Sequence, residues 1–522
     1  MTSVQGFGAA VATPHILATQ AGMEMLAGGG SAVDAMIAAD AVLGVVAPET
    51  CGVGGDLFAL VHGQGRDEPA VLNASGRAGA GADAERLRSE GHKTMPPFHP
   101  QSVTVPGCVD GWDQLHSRFG RLDLARTLQP AIRLARQGFP ASFELSRSLR
   151  ARAEILGPQR AAAGLFPDGL PPNPGDRLFR PGLATTLEEI ARNGGASFYE
   201  GACGAAITEA TGGIITARDL ASVKATWVEP LGLEIFGLTG WTVPPNSQGY
   251  LTLASLGVFA HLDPPDGPES ALSWHLAIES YRAMAIDRDD VVSDPETAPL
   301  APEELISPQR LGARSAMVDR GRASVFSPPS PVPGGTAYLC SVDAEGMGVS
   351  FIQSNFMGIG SGIGAGDAGF FLHNRGAGFD LRPGHPNCLT PGRRPLHTLS
   401  PSLWTKDGRL AAVLGTRGGD YQPQLLMQMA IRLFHAGVEP GDAQRRPRWM
   451  IDQLAAAHPE VAIEPDTSPE IENGLRAMGH MVSRRPETQH SWGPVSVITV
   501  NGDGLRTAAA DPRVPTTAAA VA

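Results

Sequence analysis

The sequence predicts an α/β or α+β protein in which helices and β-sheets form separate layers. The Ala-rich run SAVDAMIAADAVLGVV follows the glycines at 28–30 and is typical of a buried helix with Ser31 as its N-cap. The run TAYLCSVDAEGMGVSFIQSN is typical of a β-hairpin with its turn at residues 343–346. Helices and hairpins mixed along one chain favour layered packing.

The first elements are expected to be this helix and an interior strand, LFALVH, joined by the glycine-rich turn at residues 52–55. A dinucleotide-binding fingerprint needs the opposite order, in which a strand precedes the glycine loop and a helix follows it. The glycines therefore indicate tight packing between helix and strand, and a nucleotide-binding protein is disfavoured.

The remaining elements follow in order. Residues 122–221 are mostly helical in pattern, with helices that end at Gly138 and Gly194. Residues 327–335 hold four prolines and two glycines, which predicts an exposed, irregular connector. A strand is expected to begin at Thr336. The segments after it predict a hairpin (SPSLWTKDGRLAAVLG), a helix (QPQLLMQMAIRLFHAG) and two short strands (EVAIE and PVSVITV).

Composition and charge narrow the function classes. The chain has 522 residues with 41 Lys and Arg against 53 Asp and Glu, a formal net charge of −12, which excludes a generally basic, nucleic-acid-coating protein. The longest apolar stretch, residues 32–47, is too short for a transmembrane helix. No basic residue precedes Arg66 and no continuous apolar region opens the sequence, so we expect a cytoplasmic protein without a membrane partner.

The cysteine and histidine patterns give no sign of a metal or cofactor. The five cysteines are scattered, without a CxxC pair, and are interpreted as buried free thiols in a reducing compartment. The sequence contains neither HExxH nor GxxxxGK[ST]. We therefore expect no metal and no cofactor.

Thr336 becomes a candidate nucleophile if the bond between Gly335 and Thr336 is cut. Cleavage would leave a hydroxyl and a free α-amine on one residue, and an α-amine with a pKa of about 7.7 to 8.0 can act as a base for that hydroxyl. Glycine at 335 leaves the scissile carbonyl unshielded. Without cleavage, a threonine that opens a strand is an ordinary structural residue.

Two further segments carry groups that such a nucleophile needs. The turn TRGGD after LAAVLG provides Gly418 and Gly419, whose N–H groups could hold an oxyanion; alternatively it is an ordinary glycine turn. Arg77 in NASGRAGAG could bind a carboxylate through two hydrogen bonds, or it is a solvated loop residue.

Together these segments resemble the γ-glutamyltranspeptidase family of N-terminal nucleophile hydrolases, nearly from end to end. The resemblance is carried, in matching order and spacing, by ATQAGMEMLAGGGSAVDAMIAADAVLGVVAPETCGVGGDLFALV, SVTVPGCVDGW, LQPAIRLARQGFPAS, GGTAYLCSVDAEGMGVSF, SGIGAGDAGFFLHNR, RRPLHTLSPSL, LGTRGGDYQPQ and ADPR. It implies a four-layer αββα sandwich and a precursor that cuts itself into a large subunit, residues 1–335, and a small subunit, residues 336–522. The two fragments would stay together as one domain, and a homodimer is compatible with the resemblance.

The resemblance also implies roles for individual residues. Thr336 matches the nucleophile, and Ser354 matches a threonine whose hydroxyl contacts the nucleophile's amine. Gly418 and Gly419 match the oxyanion-hole pair. Arg77 matches the arginine that holds the donor's α-carboxylate, although the family's GRETAP context is GRAGAG here.

The substrate-binding positions depart from the family pattern. The family clamps the donor's α-amino group with an Asn, an amide or carboxylate side chain, and an Asp; the aligned residues here are Phe356, Arg375 and Gly378. A cation at 375 repels an ammonium and attracts an anionic acyl group. His397 and Thr398 replace the paired serines that help to bind the α-carboxylate, and both can still form hydrogen bonds.

This combination is similar to the divergent branch of the family that contains glutaryl-type acylases and oxamate-type amidohydrolases. We therefore expect hydrolysis of a small-molecule amide with an anionic acyl group. Two alternatives remain open at this point: a true γ-glutamyl hydrolase or transpeptidase acting on glutathione, and an uncleaved, non-catalytic binding protein.

Overall fold

Two seven-stranded β-sheets packed face to face, with helices on both outer faces, form the body of the protein. The computed structural model describes residues 3–63, 65–326, 334–451, 459–488 and 491–522. The layers run helix, sheet, sheet, helix. This is the αββα sandwich that the resemblance implies.

The elements of the described residues are numbered here in chain order. The strands are β1 (Ser3–Gly6), β2 (Ala10–Thr13), β3 (Asp56–His62), β4 (Ala70–Ala74), β5 (Phe139–Pro140), β6 (Arg177–Leu178), β7 (Thr226–Val228), β8 (Leu231–Ile235), β9 (Leu238–Thr242), β10 (Gly335–Val342), β11 (Gly348–Phe356), β12 (Ser402–Lys406), β13 (Arg409–Thr416), β14 (Trp449–Ile451), β15 (Glu460–Ile463), β16 (Met481–Arg484), β17 (Val495–Val500), β18 (Arg506–Ala509) and β19 (Ala518–Val521).

The helices are α1 (Ile16–Ala27), α2 (Ala32–Val46), α3 (Ala84–Ser89), α4 (Cys108–Phe119), α5 (Leu124–Gln137), α6 (Phe143–Ala151), α7 (Ala153–Leu156), α8 (Pro181–Asn193), α9 (Ala196–Tyr199), α10 (Gly201–Ala210), α11 (Ala217–Ala221), α12 (Tyr250–His261), α13 (Ala271–Ala285), α14 (Arg288–Val291), α15 (Pro308–Ser315), α16 (Gln422–Ala430), α17 (Pro440–Arg445) and α18 (Pro469–Ala477). Among the described residues, no helix is both long and apolar enough to cross a membrane.

Both large sheets combine strands from the two sides of the Gly335–Thr336 bond. One sheet has the order β1-β18-β17-β13-β12-β9-β8, and the other has the order β19-β2-β10-β11-β3-β4-β7. The central strands β10 and β11 form an antiparallel hairpin, and β2 and β3 flank it. The predicted cleavage position therefore lies at the start of a central strand. Cleavage itself stays a prediction.

Three apolar layers hold the sandwich together. Side chains from the facing sheets fill the space between them, among them Phe58, Tyr338, Ile352 and Val413. On the outer faces, α1, α2 and α4 pack on the β10–β11 sheet, and α12, α16 and α17 pack on the other sheet. Alternate residues of a strand point to opposite faces, so each central strand supplies two of these layers.

Most elements predicted from the sequence are confirmed. Helix α2 begins after Ser31, whose side chain and that of Asp34 form a capping box. The strand β3 and both hairpins occur as predicted, and α5 and α8 end immediately before Gly138 and Gly194. Strand β10 begins one residue earlier than predicted, at Gly335. Of the predicted connector, residues 327–333 lie outside the described residues.

Candidate active site

Thr336 lies at an irregularity in the β10–β11 pairing. Gly335 is opposite Phe356, whereas Ala337 is opposite Gln353, so the register shifts at Thr336. Its side chain is buried, and Thr336 Oγ1 lies 3.2 Å from Ser354 Oγ on β11. A bulge of this kind re-aims a side chain next to a functional site. The hairpin thus brings together two residues that the sequence predicts to be functional.

Ser354 connects Thr336 to the predicted scissile carbonyl and to a cation. Its hydroxyl donates to the carbonyl oxygen of Gly335 at 2.7 Å. Ser354 Oγ itself accepts hydrogen bonds from the Phe356 N–H at 2.8 Å and from Arg375 Nη2 at 3.3 Å. A serine hydroxyl has one proton to donate. Ser354 gives that proton to Gly335, and its oxygen also lies 3.2 Å from Thr336 Oγ1.

Glycine is required at 335 for steric reasons. A Cβ at this position would lie 2.9 Å from the carbonyl oxygen of Glu49 and 3.0 Å from the backbone nitrogen of Gly358. A Cβ on Gly334 would lie 3.2 Å from the Cα of Gly419. The chain that enters β10 is therefore tightly enclosed, and it passes directly beside the predicted oxyanion turn.

The turn containing Gly418 and Gly419 follows β13. Gly418 has φ 127° and Gly419 has φ 57°, both in the region that favours glycine. Gln248 Nε2 donates to the carbonyl oxygen of Gly419 at 3.1 Å, and Arg288 pairs with Asp420 at 2.8 Å. These contacts hold the turn near the start of β10. The use of its N–H groups as an oxyanion hole stays a prediction.

Arg375 is fully buried beside Ser354. Its Nη1 donates to Thr398 Oγ1 at 3.1 Å, and its guanidinium carbon lies 3.9 Å from the centre of the Phe356 ring. Burial lowers the pKa of Arg375 to about 9, while the Asp56 and Asp420 carboxylates act in the opposite direction. The side chain is therefore still a cation at neutral pH.

Asp56 lies behind Arg375 and was not predicted from the sequence to be a site residue. Its Oδ2 is 3.0 Å from His397 Nε2, 3.5 Å from His373 Nδ1 and 3.9 Å from Arg375 Nε. Its Oδ1 accepts from the Gly76 N–H at 3.0 Å. Burial alone would raise the pKa of Asp56, but the two histidines and Arg375 hold it below its ordinary value. One signal was available: a carboxylate directly after GVGG, at the start of an otherwise apolar strand.

His397 faces Asp56. The Leu399 N–H donates to His397 Nδ1 at 3.3 Å, so the proton of the neutral ring is on Nε2 and is donated to Asp56. Burial and the nearby Arg375 lower the pKa of His397 to about 3. The ring is neutral near pH 7 and orients Asp56. The predicted role of His397 and Thr398 in binding substrate is not tested by these contacts.

Arg77 belongs to a different cluster of contacts. Its Nη1 donates to Asp294 at 3.2 Å and to the carbonyl oxygen of Gly392 at 2.7 Å, and its Nη2 lies 3.5 Å from Glu296. The Arg77 side chain is 38% exposed. Two carboxylates of the protein thus already face the guanidinium. That Arg77 binds the carboxylate of a substrate stays a prediction.

Comparison with known proteins assigns the family. Residues 18–521 match the family model described as gamma-glutamyltranspeptidase. The chain belongs to the gamma-glutamyltranspeptidase family. It is accordingly an enzyme of the hydrolase/transferase type.

Relatives within the gamma-glutamyltranspeptidase family carry different activity names. The chain is 33% identical over 519 residues to the glutathione hydrolase-like YwrD proenzyme of Bacillus subtilis, with 98% of each chain covered. It is 34% identical over 524 residues to the oxamate amidohydrolase proenzyme of Klebsiella pneumoniae, again with 98% of each covered. The crystal structure of cephalosporin acylase from Bacillus halodurans matches with a TM-score of 0.93 and 31% identity, covering 100% of this chain and 97% of the acylase.

These comparisons confirm the αββα fold and the amidohydrolase/acylase character of the protein. Both named relatives are proenzymes, in keeping with a precursor that is processed into two subunits. The family resemblance stated from the sequence is confirmed.

Proposed function

We propose that this protein is a self-processing N-terminal threonine amidohydrolase that acts on amides with an anionic acyl group. The observation that carries this proposal is the buried cation of Arg375. Its guanidinium donates a hydrogen bond to Ser354 Oγ, the same atom that contacts Thr336 Oγ1. A buried guanidinium beside a nucleophile attracts a carboxylate and repels an ammonium.

Self-cleavage begins with the hydroxyl network of the intact chain. Thr336 Oγ attacks the carbonyl carbon of Gly335, its proton passes to Ser354, and the proton of Ser354 passes to the former carbonyl oxygen. The C–N bond then breaks, the α-nitrogen of Thr336 takes up the proton from that oxygen, and an ester remains. Water hydrolyses the ester, which leaves a carboxylate on Gly335 and restores the Thr336 hydroxyl. One water molecule is consumed overall.

Turnover uses the same nucleophile with its new α-amine. The amine accepts the Thr336 hydroxyl proton as Oγ attacks the amide carbonyl, and then gives a proton to the leaving amine. The N–H groups of Gly418 and Gly419 hold the oxyanion. Water then attacks the acyl-enzyme, and the products are a carboxylic acid and an amine.

The contacts around Arg375 favour an anionic acyl group over a γ-glutamyl group. A γ-glutamyl donor carries an ammonium, which would approach the Arg375 cation and the apolar ring of Phe356. Gly378 has no carboxylate that could bind this ammonium, and a Cβ at this position would lie 2.5 Å from the carbonyl oxygen of Leu396. Beside a relative named glutathione hydrolase-like, the family contains relatives named oxamate amidohydrolase and cephalosporin acylase, so amides other than glutathione are among the substrates named within it.

A substrate comparison tests the proposal. Purified, self-cleaved protein is assayed for release of amine or ammonia from monoamides of dicarboxylic acids and, in parallel, from a γ-glutamyl anilide. We expect hydrolysis of at least one anionic amide, with kcat/KM above that for the anilide. Thr336→Ala is expected to remove both self-cleavage and activity, whereas the matched Thr336→Ser retains a hydroxyl and both functions. Preference for the γ-glutamyl anilide would contradict the proposal.

A further inference from the structure

We propose that the acyl group is short, with at most one methylene between its carboxylate and the scissile carbonyl, as in an oxalyl or malonyl group. This inference rests on the proposed function and adds the length of the acyl chain. It is carried by the spacing between the cation and the nucleophile.

That spacing is bounded by two contacts in the structure. Arg375 Nη2 lies 3.3 Å from Ser354 Oγ, and Ser354 Oγ lies 3.2 Å from Thr336 Oγ1, so Nη2 is at most 6.5 Å from the nucleophilic oxygen. An acyl group bonded to Thr336 must place its carboxylate within hydrogen-bond reach of this guanidinium.

The guanidinium is held in place on several sides. Nη1 donates to Thr398, one face lies on the Phe356 ring, and Asp56 lies 3.9 Å from Nε. In the intact chain the Arg375 side chain is fully buried. Within the described residues its hydrogen bonds go to Ser354 and Thr398, and a guanidinium carries five N–H groups, so donors remain for a carboxylate.

Acyl length can be compared with this distance. From standard bond lengths, an oxalyl carboxylate oxygen lies roughly 3 to 3.5 Å from the ester oxygen of the acyl-enzyme. A charge-assisted hydrogen bond adds about 2.8 Å, which places the donor nitrogen about 6 Å from Thr336 Oγ1, inside the bound. A malonyl group fits with a slight bend.

A glutaryl group does not match the spacing. In an extended glutaryl group the carboxylate lies roughly 7 Å from the ester oxygen. That is no nearer to Thr336 than Arg375 Nη2, which lies at most 6.5 Å from Thr336 Oγ1, so no room is left for the hydrogen bond. To form the hydrogen bond, the chain must fold back, which orders three methylene groups at an entropic cost. The geometry therefore favours short acyl groups over glutaryl groups.

A homologous series of substrates tests this inference in the self-cleaved wild-type enzyme. The substrates are oxamate, malonamate, succinamate and glutaramate, and the measurement is kcat/KM for ammonia release. We expect oxamate or malonamate to exceed glutaramate by about ten-fold or more. Equal or higher values for glutaramate would overturn the short-chain inference while leaving the proposed function intact. Hydrolysis of a γ-glutamyl anilide without hydrolysis of any of the four would overturn both.

Arg375→Lys is the matched variant, because it keeps the positive charge on a shorter side chain. Its ammonium would withdraw from Ser354 toward the backbone of residue 375, which lengthens the distance from Thr336. We expect the ratio of glutaramate to oxamate activity to rise several-fold relative to wild type. An unchanged ratio in a self-cleaved variant would show that Arg375 does not determine acyl length, and would contradict the inference.

Discussion

The hydroxyl of Ser354 donates a 2.7 Å hydrogen bond to the carbonyl oxygen of Gly335. In the intact chain, this hydrogen bond polarises the predicted scissile carbonyl. Ser354 Oγ also lies 3.2 Å from Thr336 Oγ1, the oxygen that would attack that carbonyl. The same residue is therefore placed to assist both self-cleavage and, afterwards, the chemistry of Thr336.

Replacing Ser354 is expected to slow self-cleavage. Ser354→Ala removes the donor to Gly335 and the acceptor for the Thr336 proton, and loss of a single oxyanion donor typically costs about 100-fold or more in rate. The measurement is a time course of precursor disappearance by intact mass. Ser354→Thr keeps the hydroxyl and is expected to cleave at a rate near wild type; equal rates for the Ala variant and wild type would remove Ser354 from the cleavage step.

The pH dependence of kcat/KM is expected to have two limbs. Activity toward an anionic amide rises as the Thr336 α-amine loses its proton, with a pKa of about 7.7 to 8.0. It falls again above the pKa of Arg375, about 9, because the cation that attracts the carboxylate is lost. kcat/KM measured from pH 6 to pH 10.5 reports these groups in the free enzyme. A profile that stays level through pH 10.5 would contradict a binding role for the Arg375 cation.

Restoring the family's acidic residue at 378 is not expected to create γ-glutamyl activity. In Gly378→Asp, the Cβ would lie 2.5 Å from the carbonyl oxygen of Leu396, so the backbone must move. We expect a lower melting temperature and no gain in hydrolysis of a γ-glutamyl anilide. A stable variant with increased anilide hydrolysis would show that the loop accommodates the side chain, and that our account of this position is wrong.

Asp40 gives a pH-dependent stability prediction away from the site. Its Oδ2 accepts from Trp112 Nε1 at 2.8 Å, and among the described residues Oδ1 has no hydrogen-bond partner. Burial raises the pKa of Asp40 to about 7. The folded state therefore holds a proton that the unfolded state loses above about pH 4, and stability falls as pH rises between these values.

Asp40→Asn removes this pH effect and keeps an oxygen for Trp112. The variant is expected to be more stable than wild type at pH 8, by up to about 4 kcal/mol at about 1.4 kcal/mol per pH unit. Chemical denaturation of both proteins at pH 4.5 and pH 8 measures the difference, with pH 4.5 as the internal control. A difference that does not grow with pH would contradict the burial argument.

The sequence predicts the parts of this site that lie close together along the chain. Thr336 and Ser354 lie on the two strands of one hairpin, and a hairpin can be recognised from its strand and turn residues. Arg375 could be selected because it replaces a polar family residue of different charge. Helix α2 was predictable for a similarly local reason, its N-cap and apolar run.

Asp56 and His373 could not be selected in the same way. Asp56 is 341 positions from His397 in sequence, and only the pairing of β3 with β11 brings it behind Arg375. A single carboxylate next to a glycine turn has no chemical signature until the fold gives it partners. Arg77 is the opposite case. Its position matches a family motif in the sequence, but its contacts with Asp294 and Glu296 become known only from the fold.

The most direct test of the account is intact mass spectrometry with amino-terminal sequencing of the purified protein. We expect two fragments of 335 and 187 residues, and a new terminus that reads Thr-Ala-Tyr. That result would identify Thr336 as the residue exposed by self-cleavage before any substrate is known. A stable, uncut chain of 522 residues, or a new terminus elsewhere, would contradict the assignment of Thr336 as the nucleophile.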